Sequence, residues 1–578
     1  MAEVSSFLRH SGFAVQGVSA DRMSVSASGT AAQVQRAFGT SLSYHRVNGA
    51  RLRLADKDLS VPAGVAGVIA GVTGISQTPA HPDSTTDNPA AATTSSPNFP
   101  QPPGFRVAPP CASYYGQQVD TTRPPFGQGY PSPAPYAVCG YTPSQFRSAY
   151  HLTGGADGSG VTVAITDAYA SPTLLSDAQQ FASLNDPSHP LLASQFSELV
   201  PSSFNDGDAC GASGWFGEQT LDVEAVHGTA SGAHILYVGA RNCNNPLFDA
   251  IRTVVDHHLA NVITNSWGDN GGDLLTDANT RATVDNILEM AAGTGISTLF
   301  SSGDDGDEFT TLGAVVADYP PSSPWATAVG GTTLQVGAGG QRRGEFGWST
   351  ARSFFCNETF VTLGGCEASQ LGTWGPIDEA LDGGSGGGTS FVYPQPFYQA
   401  GVVPASLSER NAATVGGDPK RVEPDISMEA DPTTGMLVGE TQTFPNGVFY
   451  DQYRIGGTSV ASPLFAGVIA RADETAGHAL GFLNPRLYQL AGNPRALLDV
   501  QSAGQQDQSR ADFANSINAN DGFLFSTRII DYEGQEMFCA PDEPCKSRDV
   551  ALSTGPGYDS MTGLGAPGGD FVQALTGR

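Results

Sequence analysis

The rhythm of apolar and polar positions changes near residue 140. Before that point the amphipathic stretches are short. Residues 4–10 read as a helix, 22–27 as a strand, 31–38 as a second helix, a strand follows around Tyr44, and 62–69 read as a third helix. These make a small α+β region over residues 1–77. Residues 78–135 carry no apolar period and are rich in Pro, Ser, Thr, Ala and Gly. Such a composition buries too little apolar surface to offset chain entropy, so a linker is expected over 78–140. From Tyr141 onward, short apolar strands alternate with helical patterns: strand 161–165, helix 174–184, helix 218–226, strand 234–238, helix 247–258, strand 262–265, helix 278–292, strand 298–301. This alternation predicts an α/β domain over 141–578, a doubly wound parallel sheet with helices on both faces. In such sheets functional groups collect beyond the carboxyl ends of the strands. Ser266-Trp267-Gly268 and the stretch from Ser302 to Asp307 follow two of those ends. A further apolar run, 464–470, opens directly after Gly456-Gly457-Thr458-Ser459 and reads as a buried helix.

Charge and cysteines narrow the class. The 578 residues carry 28 Lys+Arg against 57 Asp+Glu, a net charge of −29. Phosphate would be repelled, which argues against nucleic-acid binding. An acidic surface also suits work at low pH, where protonation relieves self-repulsion. The eight cysteines, at 111, 139, 210, 243, 356, 366, 539 and 545, show no Cys-x-x-Cys spacing for zinc. Their even number and wide separation predict disulfides made in an oxidising compartment, paired in sequence order. No stretch is apolar for long enough to span a bilayer. Met1-Ala2-Glu3-Val4-Ser5-Ser6 has neither the basic start nor the apolar core of a signal peptide, so an upstream portion is expected to carry secretion.

The candidate chemistry begins at Ser459. Two glycines allow a tight turn, and the helix start offers free N–H groups to negative charge. A serine nucleophile needs that setting; a serine there is also an ordinary helix cap. Glu218 and Asp222 are four apart on one predicted helix, so their carboxyls share a face and one proton. Such a pair can act as a general base, although a bare Glu-x-x-x-Asp is usually a solvated helix face. Ser301-Ser302-Gly303-Asp304-Asp305-Gly306 puts Asp304 in a turn after a strand, where a protonated carboxyl can donate to an oxyanion; the plainer reading is a turn aspartate. Asp499-Val500 and Gly555-Pro556-Gly557-Tyr558-Asp559 combine two carboxylates with backbone free to turn its carbonyls inward, the oxygen-rich set that calcium requires. Residues 505–550 read as an insertion between those two pieces.

Together these strings resemble the sedolisins, the serine-carboxyl peptidases of subtilisin-like fold. Gly-Thr-Ser-x-x-x-Pro at 457–463 resembles the nucleophile motif of subtilisin-fold peptidases. Ser28-Gly29-Thr30-Ala31-Ala32-Gln33-Val34-Gln35-Arg36-Ala37-Phe38-Gly39-Thr40 resembles the sedolisin activation prodomain, entered partway, with its usual first strand and helix missing. The likeness includes Tyr141-Thr142-Pro143, Tyr319-Pro320, Gly330-Gly331-Thr332-Thr333-Leu334 and Pro424-Asp425-Ile426-Ser427. It implies Ser459 as nucleophile, Glu218 as general base, Asp222 as its orienting partner and Asp304 in the oxyanion hole. Asp167 falls where some sedolisins extend the acidic network with a glutamate. One structural calcium is implied, on Asp499, Val500, Gly555, Gly557 and Asp559, with carbonyls from the valine and both glycines. The expected protein is a secreted, acid-acting endopeptidase made as a zymogen. It would be monomeric, act on proteins or peptides, be restrained by its own prodomain, and bind neither nucleic acid nor membrane. Three rivals stand beside it: a Ser-His-Asp subtilisin using Asp167, His227 and Ser459, a tripeptidyl peptidase of the same fold, and a catalytically dead binding protein.

Overall fold

A computed structural model describes residues 1–47, 50–86, 100–107, 109–127, 129–269, 272–312, 315–376, 383–411, 416–502, 508–513, 524–530 and 551–577. The first region is a small α+β unit, as expected. Helices Ala2–His10 and Ala31–Phe38 enclose a core of Leu8, Phe13, Phe38 and Ile75, in which the Phe38 ring meets Phe7 and Phe13 edge-on. Thr30 and Gln33 close a reciprocal capping box at the start of the second helix. Two details differ from the pattern. The expected strand is Val25–Ser28 and pairs with an unforeseen strand, Ala14–Val18. The helix at 62–69 shrinks to Ala63–Ala66, because Gly64 and Gly67 weaken a stretch already started by Pro62.

The larger domain is organised on one eight-stranded sheet. Its strands are β1 (Thr162–Ala168), β2 (Phe196–Leu199), β3 (His234–Ala240), β4 (Val262–Asn265), β5 (Ser297–Ser301), β6 (Thr327–Val336), β7 (Arg342–Gly347) and β8 (Ile426–Glu429). The order across the sheet is β7-β6-β5-β4-β1-β3-β2, with β8 also paired to β6; only β7 runs antiparallel. The predicted helices form, four with longer bounds and α3 shifted by one residue: α1 (Leu174–Asn185), α2 (Gly214–Thr229), α3 (Pro246–His257), α4 (Ala278–Thr294) and α5 (Thr458–Ala476). One face of the sheet packs Leu221 and Val226 of α2 with Val460, Leu464 and Ile469 of α5. The other packs Leu247, Ile251 and Val254 of α3 with Ile287 and Leu288 of α4. α2 and α5 are buried almost all round, which is how a helix comes to hold carboxyls and a serine away from bulk water.

Disulfides join Cys111–Cys139, Cys210–Cys243 and Cys356–Cys366, in sequence order; Cys539 and Cys545 lie outside the described residues. The stretch read as a plain linker is partly ordered. Ala80–Pro82 pairs antiparallel with Trp267–Asp269, and Thr85–Thr86 with Ile455 and Gly456, so the chain is threaded through the cleft between them. Of the insertion, strands Gln508–Phe513 and Leu524–Ile530 pair with each other, and the second also pairs with Thr350–Phe355. Among the described residues no helix is long and apolar enough to cross a membrane.

Candidate active site

Ser459 is the second residue of α5, and Gly457 caps that helix at φ 105°. A Cβ at Gly457 would come within 2.3 Å of the Asp83 carbonyl and 2.6 Å of Asp304 Oδ2, so only glycine fits there. The Ser459 N–H donates to the Asp83 carbonyl at 3.0 Å, and the Ser459 hydroxyl donates to the Ser266 carbonyl at 3.2 Å. Pro463, within the helix, has no N–H to return to the Ser459 carbonyl; the Ser266 hydroxyl lies 3.5 Å from that oxygen.

The carboxyls approach from three elements. Glu218 and Asp222 lie one turn apart on α2, both fully buried, and Asp167 comes from the end of β1, also fully buried. Asp222 Oδ1 accepts the Ser266 hydroxyl at 2.7 Å. Both oxygens of Asp167 are buried without a hydrogen-bond partner, and those of Glu218 are buried beside the Ser84 and Ser459 hydroxyls without a full hydrogen bond to either. Burial and then the charge of Asp167 push the Glu218 carboxyl well above the usual range, while the Ser84 and Ser459 hydroxyls facing it work the other way. The same causes, with Glu218 added, raise Asp222. Asp167 is raised to about 8 by burial. Three carboxyls in one dry pocket therefore hold protons that isolated ones would release, and ionising one disfavours ionising the next.

Asp304 stands across the cleft. Its Oδ1 accepts the Thr458 N–H at 2.7 Å and lies 3.0 Å from the Thr458 hydroxyl, which ties the turn after β5 to the start of α5. The structure thus brings Ser459, Glu218, Asp222, Asp167 and Asp304 to one cleft. His227 is engaged elsewhere: its Nε2 donates to the His189 carbonyl at 2.9 Å, and burial lowers its basicity. It bonds neither Ser459 nor Asp167, so it lacks the geometry that a Ser-His-Asp relay requires. Sequence reasoning gave Ser266 no role beyond its place after β4; it touches both Ser459 and Asp222.

At the other constellation, Asp499 and Asp559 meet over the glycine-rich loop. Asp499 Oδ1 accepts the Gly557 N–H at 3.0 Å, and the Gly555 N–H lies 3.2 Å from Asp559 Oδ2. Asp559 Oδ1 also accepts the Met561 and Thr562 N–H groups, and burial raises its carboxyl to about 7. The acidic part of the set suits a cation. The amides of both glycines face the carboxylates in this arrangement.

Comparison with known proteins covers both regions. The sequence profile of the Pro-kumamolisin activation domain matches residues 1–78, and that of the subtilase family matches residues 204–486. Kumamolisin of Bacillus sp. strain MN-32 is 30% identical over 452 residues, 76% of this chain and 64% of that protein. Sedolisin of Pseudomonas sp. strain 101 is 27% identical over 516 residues, 86% of this chain and 72% of that protein. Tripeptidyl-peptidase 1 of Rattus norvegicus is 27% identical over 473 residues, 77% and 67%. The chain thus spans a little under two thirds of kumamolisin's length. The solved Pseudomonas sedolisin, a serine-carboxyl proteinase complexed with two molecules of pseudo-iodotyrostatin, superposes with a TM-score of 0.50 at 24% identity. That superposition covers 76% of this chain and 97% of that one.

Proposed function

We propose that the chain is a serine-carboxyl endopeptidase of the sedolisin family, made as a zymogen, with a subtilisin-like fold behind an activation prodomain. Ser459 Oγ attacks a peptide carbonyl and its proton passes to Glu218, which Asp222 and Asp167 hold in a shared acidic network. The oxyanion that forms accepts the Ser459 N–H and a proton-bearing Asp304 carboxyl. Collapse expels the amine, which takes the proton from Glu218, and leaves an acyl group on Ser459; water then releases it by the reverse route. The observation that carries this reading is that Ser459 N–H already holds a peptide carbonyl, that of Asp83, with Glu218 facing the hydroxyls of Ser459 and Ser84.

Chain pairs with the cleft walls on both sides of that carbonyl, which favours cleavage inside a polypeptide over release of tripeptides from a closed end. A dead binding protein would have no need of the complete set. An acidic optimum follows from a donor, Asp304, that works only while protonated. The three disulfides among the described residues and the acidic balance favour an extracellular, acidic destination. One calcium ion on Asp499, Asp559 and neighbouring carbonyls, with Val500, Gly555 and Gly557 turning to it, is part of the proposal; the ion would neutralise Asp559 and tie two distant segments together.

The deciding experiment compares Glu218→Ala with His227→Ala on one peptide substrate, after folding is confirmed. Glu218→Ala loses nearly all turnover and His227→Ala keeps a substantial part. The opposite pattern would hand the reaction to Asp167, His227 and Ser459.

A further inference from the structure

The segment from Ala80 to Thr86 lies in the cleft as a substrate would. Ala80, His81 and Pro82 face Asp269, Gly268 and Trp267 in antiparallel register, and the Asp83 N–H continues the ladder to the Ser266 carbonyl at 3.2 Å. Beyond the nucleophile, Thr85 and Thr86 face Gly456 and Ile455. Extended chain pinned at both ends is how peptides add to a sheet edge, with backbone bonds fixing the register. That register delivers one carbonyl of the segment, that of Asp83, to the Ser459 N–H. The next residue, Ser84, presents its hydroxyl to Glu218, the group that would carry a proton to the departing amine.

The Asp83 side chain is buried, and its Oδ2 accepts the Ser301 hydroxyl at 2.6 Å. Its Oδ1 lies 3.5 Å from His81 Nδ1. The wall is made of glycine where the side chain passes: a Cβ on Gly268 would sit 3.5 Å from both Asp83 oxygens and 3.7 Å from Asp318 Oδ2. A Cβ on Gly303 would strike Asp318 Oδ2 at 1.9 Å. Asp318 closes this pocket, with Glu308 behind it. Burial and then Glu308 hold the Asp318 carboxyl well above the usual range, and burial and then Asp305 lift Glu308 to about 8. Carboxyls kept neutral are hydrogen-bond donors, and with the Ser301 hydroxyl they offer a carboxylate several partners.

We infer that self-processing breaks the Asp83–Ser84 bond, and that the subsite beside Ser459 formed by Ser301, Gly268, Gly303 and Asp318 selects an acidic side chain. This rests on the proposed peptidase reading and adds its substrate preference. In the cleavage, Ser459 Oγ bonds to the Asp83 carbonyl carbon, the C–N bond to Ser84 breaks, and the Ser84 amine takes the proton carried by Glu218. Water then frees the Asp83 carboxyl and restores the serine.

The test uses the full chain and its Ser459→Ala variant, acidified and followed by intact mass and N-terminal sequencing from the earliest times. The expected products are a piece ending at Asp83 and a mature chain beginning at Ser84, both absent from Ser459→Ala. First products at another bond, absent from Ser459→Ala, would overturn the inference and leave the peptidase reading standing. Processing unchanged in Ser459→Ala would overturn the peptidase reading itself. The mature enzyme is then given a synthetic peptide of residues 77–86, with Asp, Asn, Leu or Lys at position 83. The aspartate peptide is expected to be cut with kcat/KM roughly tenfold or more above the leucine and lysine ones, because a subsite built for a hydrogen-bonded group rejects its absence. In Ser301→Ala that advantage shrinks. Equal rates for leucine, or faster cutting after lysine, would overturn the acidic preference.

Discussion

Asp167 offers the sharpest physical test, because it is a fully buried carboxyl with neither oxygen hydrogen-bonded. Its burial lifts it to about 8, against an ordinary 3.8. An acid raised in the folded state binds its proton more tightly there than in the unfolded chain. Its contribution to stability is therefore fully present below the unfolded value and is lost as pH climbs toward about 8. Between pH 5 and 7 the unfolded chain has released this proton and the folded one has kept it. One such proton tilts stability by about 1.4 kcal/mol per pH unit, so roughly 2–3 kcal/mol of the fall across that interval belongs to Asp167. Asp167→Asn removes the proton from both states. The assay is urea unfolding at pH 5, 6 and 7, in a Ser459→Ala background to prevent self-digestion. Comparing slopes rather than absolute values cancels any packing cost of the amide. The variant's stability is expected to fall over the interval by roughly 2–3 kcal/mol less than that of its parent. Identical slopes would mean that Asp167 releases its proton in the folded protein as easily as in water, and the dry-pocket account would be wrong.

Asp304→Ala is expected to lower turnover about 10²–10³-fold, the usual worth of one oxyanion donor, while Asp304→Asn retains more and extends activity to higher pH. Equal turnover in all three proteins between pH 2.5 and 7 removes Asp304 from the reaction. Calcium at a hundredfold over its dissociation constant adds about 2.7 kcal/mol if it binds only the folded chain; chelator then lowers Tm in the parent and not in Asp559→Ala. A parent indifferent to chelator has no such ion. Replacing both Cys210 and Cys243 by alanine opens a loop spanning 33 positions and is expected to cost about 3–4 kcal/mol in denaturant unfolding. A loss below about 1 kcal/mol would mean that the loop is held by its packing instead.

What the sequence makes legible are features with a local signature. Ser459 is readable because two glycines and an apolar run fix a turn-to-helix junction, and Glu218 and Asp222 because a four-residue interval means one helix face. Both assignments of position match the structure: the serine opens α5 and the carboxyls share a buried side of α2. The convergence of Asp167 with them is a tertiary fact, since β1 and α2 meet only in the folded sheet. The threading of 80–86 through the cleft has no signature at all. Its contacts are chiefly backbone bonds to strand edges, which any extended residues can make, so Ala-His-Pro-Asp-Ser-Thr-Thr reads as linker by composition. Asp318 and Glu308 escape for the opposite reason: each is an unremarked acid in a loop, and it is the missing side chains of Gly268 and Gly303 that leave Asp318 room beside the cleft. The proposed calcium set shows a third kind of limit, because spacing reports which residues can meet but not which backbone groups face inward.

On the proposed reading, the acids in the cleft let a carboxyl do the work that histidine does in a Ser-His-Asp peptidase. A lone glutamate in water is too weak a base for a serine hydroxyl, because it stays ionised down to a pH of about 4.3. Burial beside Asp222 and Asp167 raises its proton affinity, and the pocket tolerates little more than one charge, so taking the serine's proton relieves repulsion as well as forming a bond. The oxyanion partner then also has to work as a neutral acid, which Asp304 does only where carboxyls keep their protons. The donor and the base are thus tuned by one variable in opposite senses: lowering pH arms Asp304 and disarms Glu218. The overlap is widest where the donor holds its proton more tightly than the base does. Glu218 sits fully enclosed among acids, whereas Asp304 lies at the cleft edge, tied to the Thr458 N–H. On the proposed reading the carboxyl donates only while protonated, whereas an amide in its place would donate at every pH and extend activity to higher pH.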